Sequence, residues 1–163
     1  MRKTIIFALL SILPLLMACD KSDDITDIFV GKTWQLNYIA SGSVGKTWYK
    51  FTDVTDENFQ EYSSRTKTFN LVFSGAQNGD VITGNLNGNG SMTLTGTWTA
   101  NGDSRVLTTK DVNGDIGDTK DIIAQKILYG MQNAESYKGD VDNLFIYFNY
   151  QGTTLFMAFS VKE

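Results

Sequence analysis

The chain of 163 residues contains no histidine. That excludes serine–histidine and cysteine–histidine nucleophiles and histidine-based metal catalysis, since histidine is the side chain whose unperturbed pKa suits proton transfer near neutrality. A single cysteine, Cys19, excludes an internal disulfide framework. Proline is as scarce, and the only one, Pro14, lies near the amino terminus. Basic residues number 14 against 18 acidic ones, for a net charge of −4, and they form no cluster. Nucleic acid and anionic lipid headgroups are therefore set aside as partners. No apolar run is long: the best, Ile5 to Met17, covers about 13 residues where a membrane-spanning helix needs roughly 20.

What is there begins at that run. Arg2 and Lys3 precede it and Ala18 closes it, the pattern of a secretory signal. Leu16-Met17-Ala18-Cys19 resembles the bacterial lipobox, which implies diacylation of the Cys19 thiol, cleavage before Cys19 and acylation of the new amino group. An ordinary signal with a chance cysteine is the other reading, but the only cysteine sits at the cleavage point. Several acyl chains anchor a protein stably, each buried methylene contributing about 0.8 kcal/mol. The acidic stretch DKSDDITD that follows resembles the Ser/Asp-rich export signal of surface lipoproteins. It implies the outer membrane, on the cell surface rather than the periplasmic face; the alternative is a solvated linker. The expected organisation is a signal over residues 1–18, a lipidated cysteine with a flexible tether over 19–28, and one domain over 29–163. Cleavage leaves 145 residues and, with Arg2 and Lys3 gone, a charge of −6.

Within the domain the dominant pattern alternates with a period of two. MTLTGTW places Met92, Leu94 and Trp98 on one face and Thr93, Thr95 and Thr97 on the other, the mark of a half-buried antiparallel strand. TFNLVF (68–73), LFIYFNY (144–150) and TLFMAFSV (154–161) behave alike, the last two forming a hairpin around Gln151 and Gly152. Further strands are expected at 32–40, 46–51, 79–87 and 105–109. Ile123, Ile127 and Met131 instead recur at helical spacing; Asp118 or Thr119 is the expected cap and Gly130 lies near the end. A shorter helix is expected at 55–62. The sum is an α+β fold: a mostly antiparallel, strongly bent sheet or partly closed barrel of about eight short strands, with a helix before the C-terminal hairpin.

Few motifs carry chemistry. ASGSVGKT (40–47) fits a loose phosphate-loop pattern in which Lys46 and Thr47 would meet phosphate and magnesium. Such a loop must enter a helix, whereas here aromatic WYKF follows, so a turn is the better reading. Asp111, Asn113 and Asp115 match the first ligands of a calcium loop, but Ile116 stands where the sharp-turn glycine is needed and Ile122 where the bidentate carboxylate is needed. This stretch reads as the joint between sheet and helix, with Asn113-Gly114 turning the chain. A carboxylate pair is the remaining catalytic route, but the acids fall in turn contexts such as NGD and GDVDN. No catalytic, cofactor-binding or metal residue is therefore expected, nor a cofactor. Trp34 and Trp98 are expected in the core, and one of Trp48 and Tyr49 partly exposed, since Lys46 and Lys50 alternate with them.

The order GKTWQL, FNLVFSG, VITGNLNGNGSMTLTGTW, ANGDSRVLTT, ILYGMQNAESYKGD and NLFIYFNYQGTTLFMAF resembles the META domain of small bacterial heat-shock-type lipoproteins over about residues 29–161. It implies a sheet with a flanking helix, an envelope location and a part in stress tolerance. The family's Gly-Cys-Asn falls on Gly90, Ser91 and Met92, so no role of its cysteine pair carries over. Gly31, Trp34 and the GTW at 96–98 also resemble lipocalin-like lipoproteins, which would imply a barrel carrying a small apolar ligand. The expected function is non-enzymatic: an envelope lipoprotein, membrane-held through Cys19, that binds an envelope protein or an extracellular ligand. An apolar carrier and a carboxylate-based hydrolase are the alternatives.

Overall fold

The computed structural model describes residues 24–42 and 47–163, the side chains of residues 66 and 67 aside. Eight strands form one antiparallel sheet: β1 (Thr33–Ser41), β2 (Asn70–Asn78), β3 (Val81–Asn89), β4 (Thr93–Asn101), β5 (Leu107–Asp115), β6 (Ala134–Gly139), β7 (Asn143–Tyr150) and β8 (Thr153–Val161). Their order is β5-β4-β3-β2-β1-β8-β7-β6. Helix α1 (Ile25–Phe29) precedes β1, α2 (Asp56–Ser63) lies between β1 and β2, and α3 (Ile122–Gln132) joins β5 to β6.

The sheet curls until its two edges meet at one end, where Val106 bridges Ser136 and the Tyr137 N–H donates to the Arg105 carbonyl at 3.0 Å. It does not close further. Helix α3 lies along the opening instead: the Thr109 hydroxyl donates to the Met131 carbonyl, and the Gln132 amide donates to the Val112 carbonyl at 3.1 Å. Its stripe of Ile123, Ile127 and Met131 is fully buried, each side chain contributing about 1.5–3 kcal/mol by leaving water. The expected α+β architecture is the one found.

Inside the curl, alternate residues of each strand converge. Met92, Leu94 and Trp98 are buried while Thr93, Thr95 and Thr97 face solvent. The Phe29 ring meets Phe73, Trp98 and Tyr137 at centroid distances of 5.0, 4.7 and 4.8 Å. Trp98 lies across its neighbouring strands, its Nε1–H donating to the Ser74 carbonyl at 3.1 Å. That position needs glycine beneath it: a Cβ on Gly84 would stand 1.7 Å from the Ser74 oxygen, and one on Gly75 would stand 3.3 Å from the Trp98 ring. The β7–β8 hairpin turns on Gln151 and Gly152, as expected, with φ of 50° and 81°, the left-handed pair that a two-residue hairpin requires.

Five expectations need correction. The domain begins before residue 29, because Asp24 caps α1 by accepting from the Thr26 N–H at 2.9 Å, and Ile25 and Ile28 are buried. The part of the tether expected at 24–28 is thus packed structure, and residues 19–23 lie outside those described. Residues 47–51 are not a strand. Only the Tyr49 N–H reaches the sheet, donating to the Ile39 carbonyl at 2.7 Å, and one bond makes no ladder. The eighth strand is β6, whose exposed Glu135 and Lys138 suit an edge and mask its alternation. Finally, β5 continues to Asp115, bulging near Asp111 where φ is 52°, so Asn113-Gly114 lies within a strand and is not a turn. The cap of α3 is then Asp121, which accepts from the Ala124 N–H at 2.9 Å, while Gly130 lies within the helix against Phe148 and Met157.

Candidate functional site

The crossover from β1 to β2 closes the end of the sheet opposite α1. After Thr47 the chain runs without regular structure, turning at Thr52-Asp53, where the Val54 N–H donates to the Phe51 carbonyl at 3.3 Å, and reaches Thr55, whose hydroxyl caps α2 by accepting from the Asn58 N–H at 3.2 Å. Phe51 and Val54 drop into the core, and Tyr62 from α2 joins them. What remains outside them is a cleft of about 460 Å³, within the size range of small-molecule sites. Its walls are two perpendicular ring pairs. Trp48 meets Phe59 edge-on at 5.6 Å and 78°, and Tyr49 meets Phe51 at 5.0 Å and 80°. Trp48 and Tyr49 are both half-buried, so the exposure expected of one is shared by both. At the mouth, Lys50 pairs with Asp56 at 3.3 Å, and both side chains are more than four-fifths exposed.

Beneath the cleft lies a charged cluster that hydropathy does not reveal. Lys126 is buried on α3, forms an ion pair with Asp53 and donates to the Tyr150 hydroxyl at 2.8 Å. Its ammonium also stands 5.4 Å from the centre of the Phe51 ring, the ring whose other contacts shape the cleft. Burial alone would push the Lys126 pKa down. The bonds from Asp53 and Tyr150 outweigh it and hold the amine above its ordinary value of 10.5, so it stays an ammonium and is no nucleophile.

A second tie fixes α2. Asp118 accepts from the Tyr62 hydroxyl and from Arg65, each at 3.3 Å, and Arg65 also faces Glu61 at 3.6 Å. The Asp118 carboxyl is held below its ordinary value, first by the Lys120 N–H and then by Arg65 and Tyr62. The crossover is therefore pinned at two points, by Asp53 to α3 and by Arg65 to the loop before it.

The other candidate residues separate. Cys19 lies outside the described residues, as do 43–46 of the phosphate-loop pattern; Ala40 belongs to β1, and the next helix starts only at Asp56. Asp111, Asn113 and Asp115 lie along β5, where the Asn113 amide donates to the Asp111 carbonyl at 2.9 Å. Among the described residues no group of three or more His, Cys, Asp or Glu side chains is placed to hold a metal ion. Trp34 and Trp98 are buried, as expected. Sequence reasoning missed Phe59, Asp53, Lys126 and Tyr150. Lys126 did leave a signal, a cation inside the apolar stripe between Ile123 and Gly130.

No curated protein matches this sequence. A crystal structure of a DUF4847 family protein from Bacteroides vulgatus ATCC 8482 is similar, with 20% sequence identity, a TM-score of 0.57, and coverage of 83% of this chain and 96% of that one. At that identity the likeness bears on the fold. The family model of the domain of unknown function DUF4847 matches residues 20–161, and the chain belongs to that family.

Proposed function

We propose that this chain is a non-enzymatic lipoprotein of the cell envelope that binds an envelope or extracellular partner or ligand through the aromatic cleft of residues 47–59. The cleft is the observation that carries this reading: half-buried rings of Trp48, Tyr49 and Phe59 are held on a pinned crossover and left uncovered by the described residues. Cys19 holds the protein at the outer membrane through its acyl chains, with the domain on the cell surface rather than the periplasmic face. The fold's polarity supports that role. Five residues from Cys19 to Asp24 extend at most about 18 Å, which keeps the α1 end near the bilayer. Strand β1 then runs away from α1 for about 27 Å, and the cleft follows its far end. A META-like kinship, with a part in stress tolerance, belongs to the same proposal, and the helix before the final hairpin supports it. The carrier reading has less behind it, since Phe29, Trp34, Phe73, Trp98 and the stripe of α3 fill the interior such a barrel would offer.

Two measurements test the proposal. Alkyne-palmitate labelling of intact cells should mark the wild-type chain and not Cys19→Ser; equal labelling removes the anchor. A photo-crosslinking p-benzoylphenylalanine at Gln60, exposed one turn along α2 from Asp56, should form a discrete adduct in intact cells, while the same group at Asp103, at the opposite end, should not. Equal adducts at both positions, or none, would remove the cleft as the binding site.

A further inference from the structure

Resting on that reading, the chemistry of the cleft identifies a class of ligand. We infer that it binds a neutral sugar ring. The walls are faces and edges of Trp48, Tyr49, Phe51 and Phe59, which suit a body with apolar C–H faces. The mouth is different. It holds one acceptor-only group, the Asp56 carboxylate, beside one donor-only group, the Lys50 ammonium, 3.3 Å apart.

That pair decides between ligand classes. A cationic ligand would fit the rings and Asp56 but would meet Lys50, and an anionic one would fit Lys50 but meet Asp56. Either gives up a pair that is weak at this exposure and meets a like charge in its place, so the mouth disfavours both. A purely apolar ligand leaves the pair unused and strips its water. A sugar hydroxyl is both donor and acceptor, so neighbouring hydroxyls bond the carboxylate and the ammonium together, while the C–H face of the ring packs on Trp48. The Thr47 hydroxyl on the same rim adds one more partner that is both donor and acceptor. Among the described residues behind the mouth, Lys126 is engaged with Asp53, and Arg65 with Asp118 and Glu61. Glu57, exposed beside Asp56 on α2, adds negative charge and disfavours an anion further.

The test uses the full chain carrying Cys19→Ser and reads tryptophan emission, to which Trp48 contributes the ring on the cleft. The probes are cellopentaose, maltopentaose and N-acetylchitopentaose, with choline, decanoate and oligogalacturonate as the cationic, apolar and anionic counterparts. At least one neutral oligosaccharide should give a saturable shift. Asp56→Asn, at a solvent-exposed side chain, should weaken binding about tenfold, and Trp48→Phe, followed by calorimetry, should weaken it severalfold with the fold intact by circular dichroism. The inference is overturned if no neutral sugar saturates, if only a counterpart does, or if Asp56→Asn binds as well as wild type. An adduct at position 60 in cells with no sugar binding would remove the sugar and leave the binding site. Failure of both removes the site itself.

Discussion

The Lys126 ammonium donates to the Tyr150 hydroxyl at 2.8 Å, joining the middle of α3 to the last residue of β7 under the cleft. Asp53 completes the cluster from the crossover, so three elements distant in sequence share one buried charge. Its partners are not equivalent, because Lys126 is 10% exposed and Asp53 48%.

Removing the two partners should therefore have unequal effects. Asp53→Ala leaves a buried ammonium with one neutral partner and should cost about 2–3 kcal/mol, below the usual figure for a buried pair because Asp53 is half in water. Lys126→Met leaves a carboxylate free to hydrate and should change stability by less than about 1 kcal/mol. Urea denaturation measures both, and the reverse ranking would refute the asymmetry. Because the folded pKa of Lys126 is raised, its contribution is fully present below pH 10.5 and lost as pH rises through the folded value. The difference between wild type and Lys126→Met should accordingly stay flat from pH 6 to 9.

Asp121 separates capping from charge. It is buried, and burial raises its carboxyl pKa against the opposing bond from the Ala124 N–H. A raised folded pKa gives stability that is present below 3.8 and lost as pH rises through the folded value. Asp121→Asn keeps an N-cap without the charge, so its stability relative to wild type should increase between pH 3.5 and 7. Asp121→Ala loses the cap and should cost about 1 kcal/mol at pH 7. Thermal melts across that range decide it, and an Asn variant that falls relative to wild type with rising pH would contradict the account.

Two glycines give a steric contrast. At Gly84 an added Cβ meets the Ser74 carbonyl at 1.7 Å, and backbone cannot yield there without opening β2 from β3. Gly84→Ala should cost about 2 kcal/mol or more. Gly117 has nothing within 4 Å, and Gly117→Ala should stay within about 0.5 kcal/mol. Chemical denaturation of the pair checks both, and equal losses would mean that the close approach of β2 and β3 is not what fixes Gly84.

The three tryptophans should report separately. Trp34 and Trp98 are 0% and 2% exposed, whereas Trp48 is half-buried on the cleft. Iodide should quench only part of the native emission, and Trp48→Phe should abolish that part. A quenchable fraction that survives the substitution would place another tryptophan in reach of solvent.

The central strands were legible because their two faces differ in hydropathy. Buried on one side and more open on the other, β4 and β7 print a period of two, whereas β8 is buried on both faces from Leu155 to Phe159 and was legible by its apolar run. Both edges were misread for one reason. Edge strands carry charge and bulges, so β6 with Glu135 and Lys138 shows no clean alternation and was not expected, and β5 around Asp111 to Asp115 read as a turn. The crossover failed in the opposite sense: Trp48 to Phe51 alternate like a strand, yet β1 offers them one hydrogen bond. Their rings turn to line a cleft and cap the core.

By itself, then, the sequence determined the class of fold, the helix that fills it, the burial of Trp34 and Trp98, and the exclusion of histidine chemistry, because these follow from composition and local period. Only the tertiary structure decided that Phe59 from α2 stands over Trp48, that Lys50 and Asp56 share one mouth, and that Lys126 lies beneath with Asp53 and Tyr150. Those relations join residues up to 97 positions apart, from Asp53 to Tyr150. Which of them meet depends on how far the sheet curls before α3 stops it, a packing outcome that no local pattern encodes.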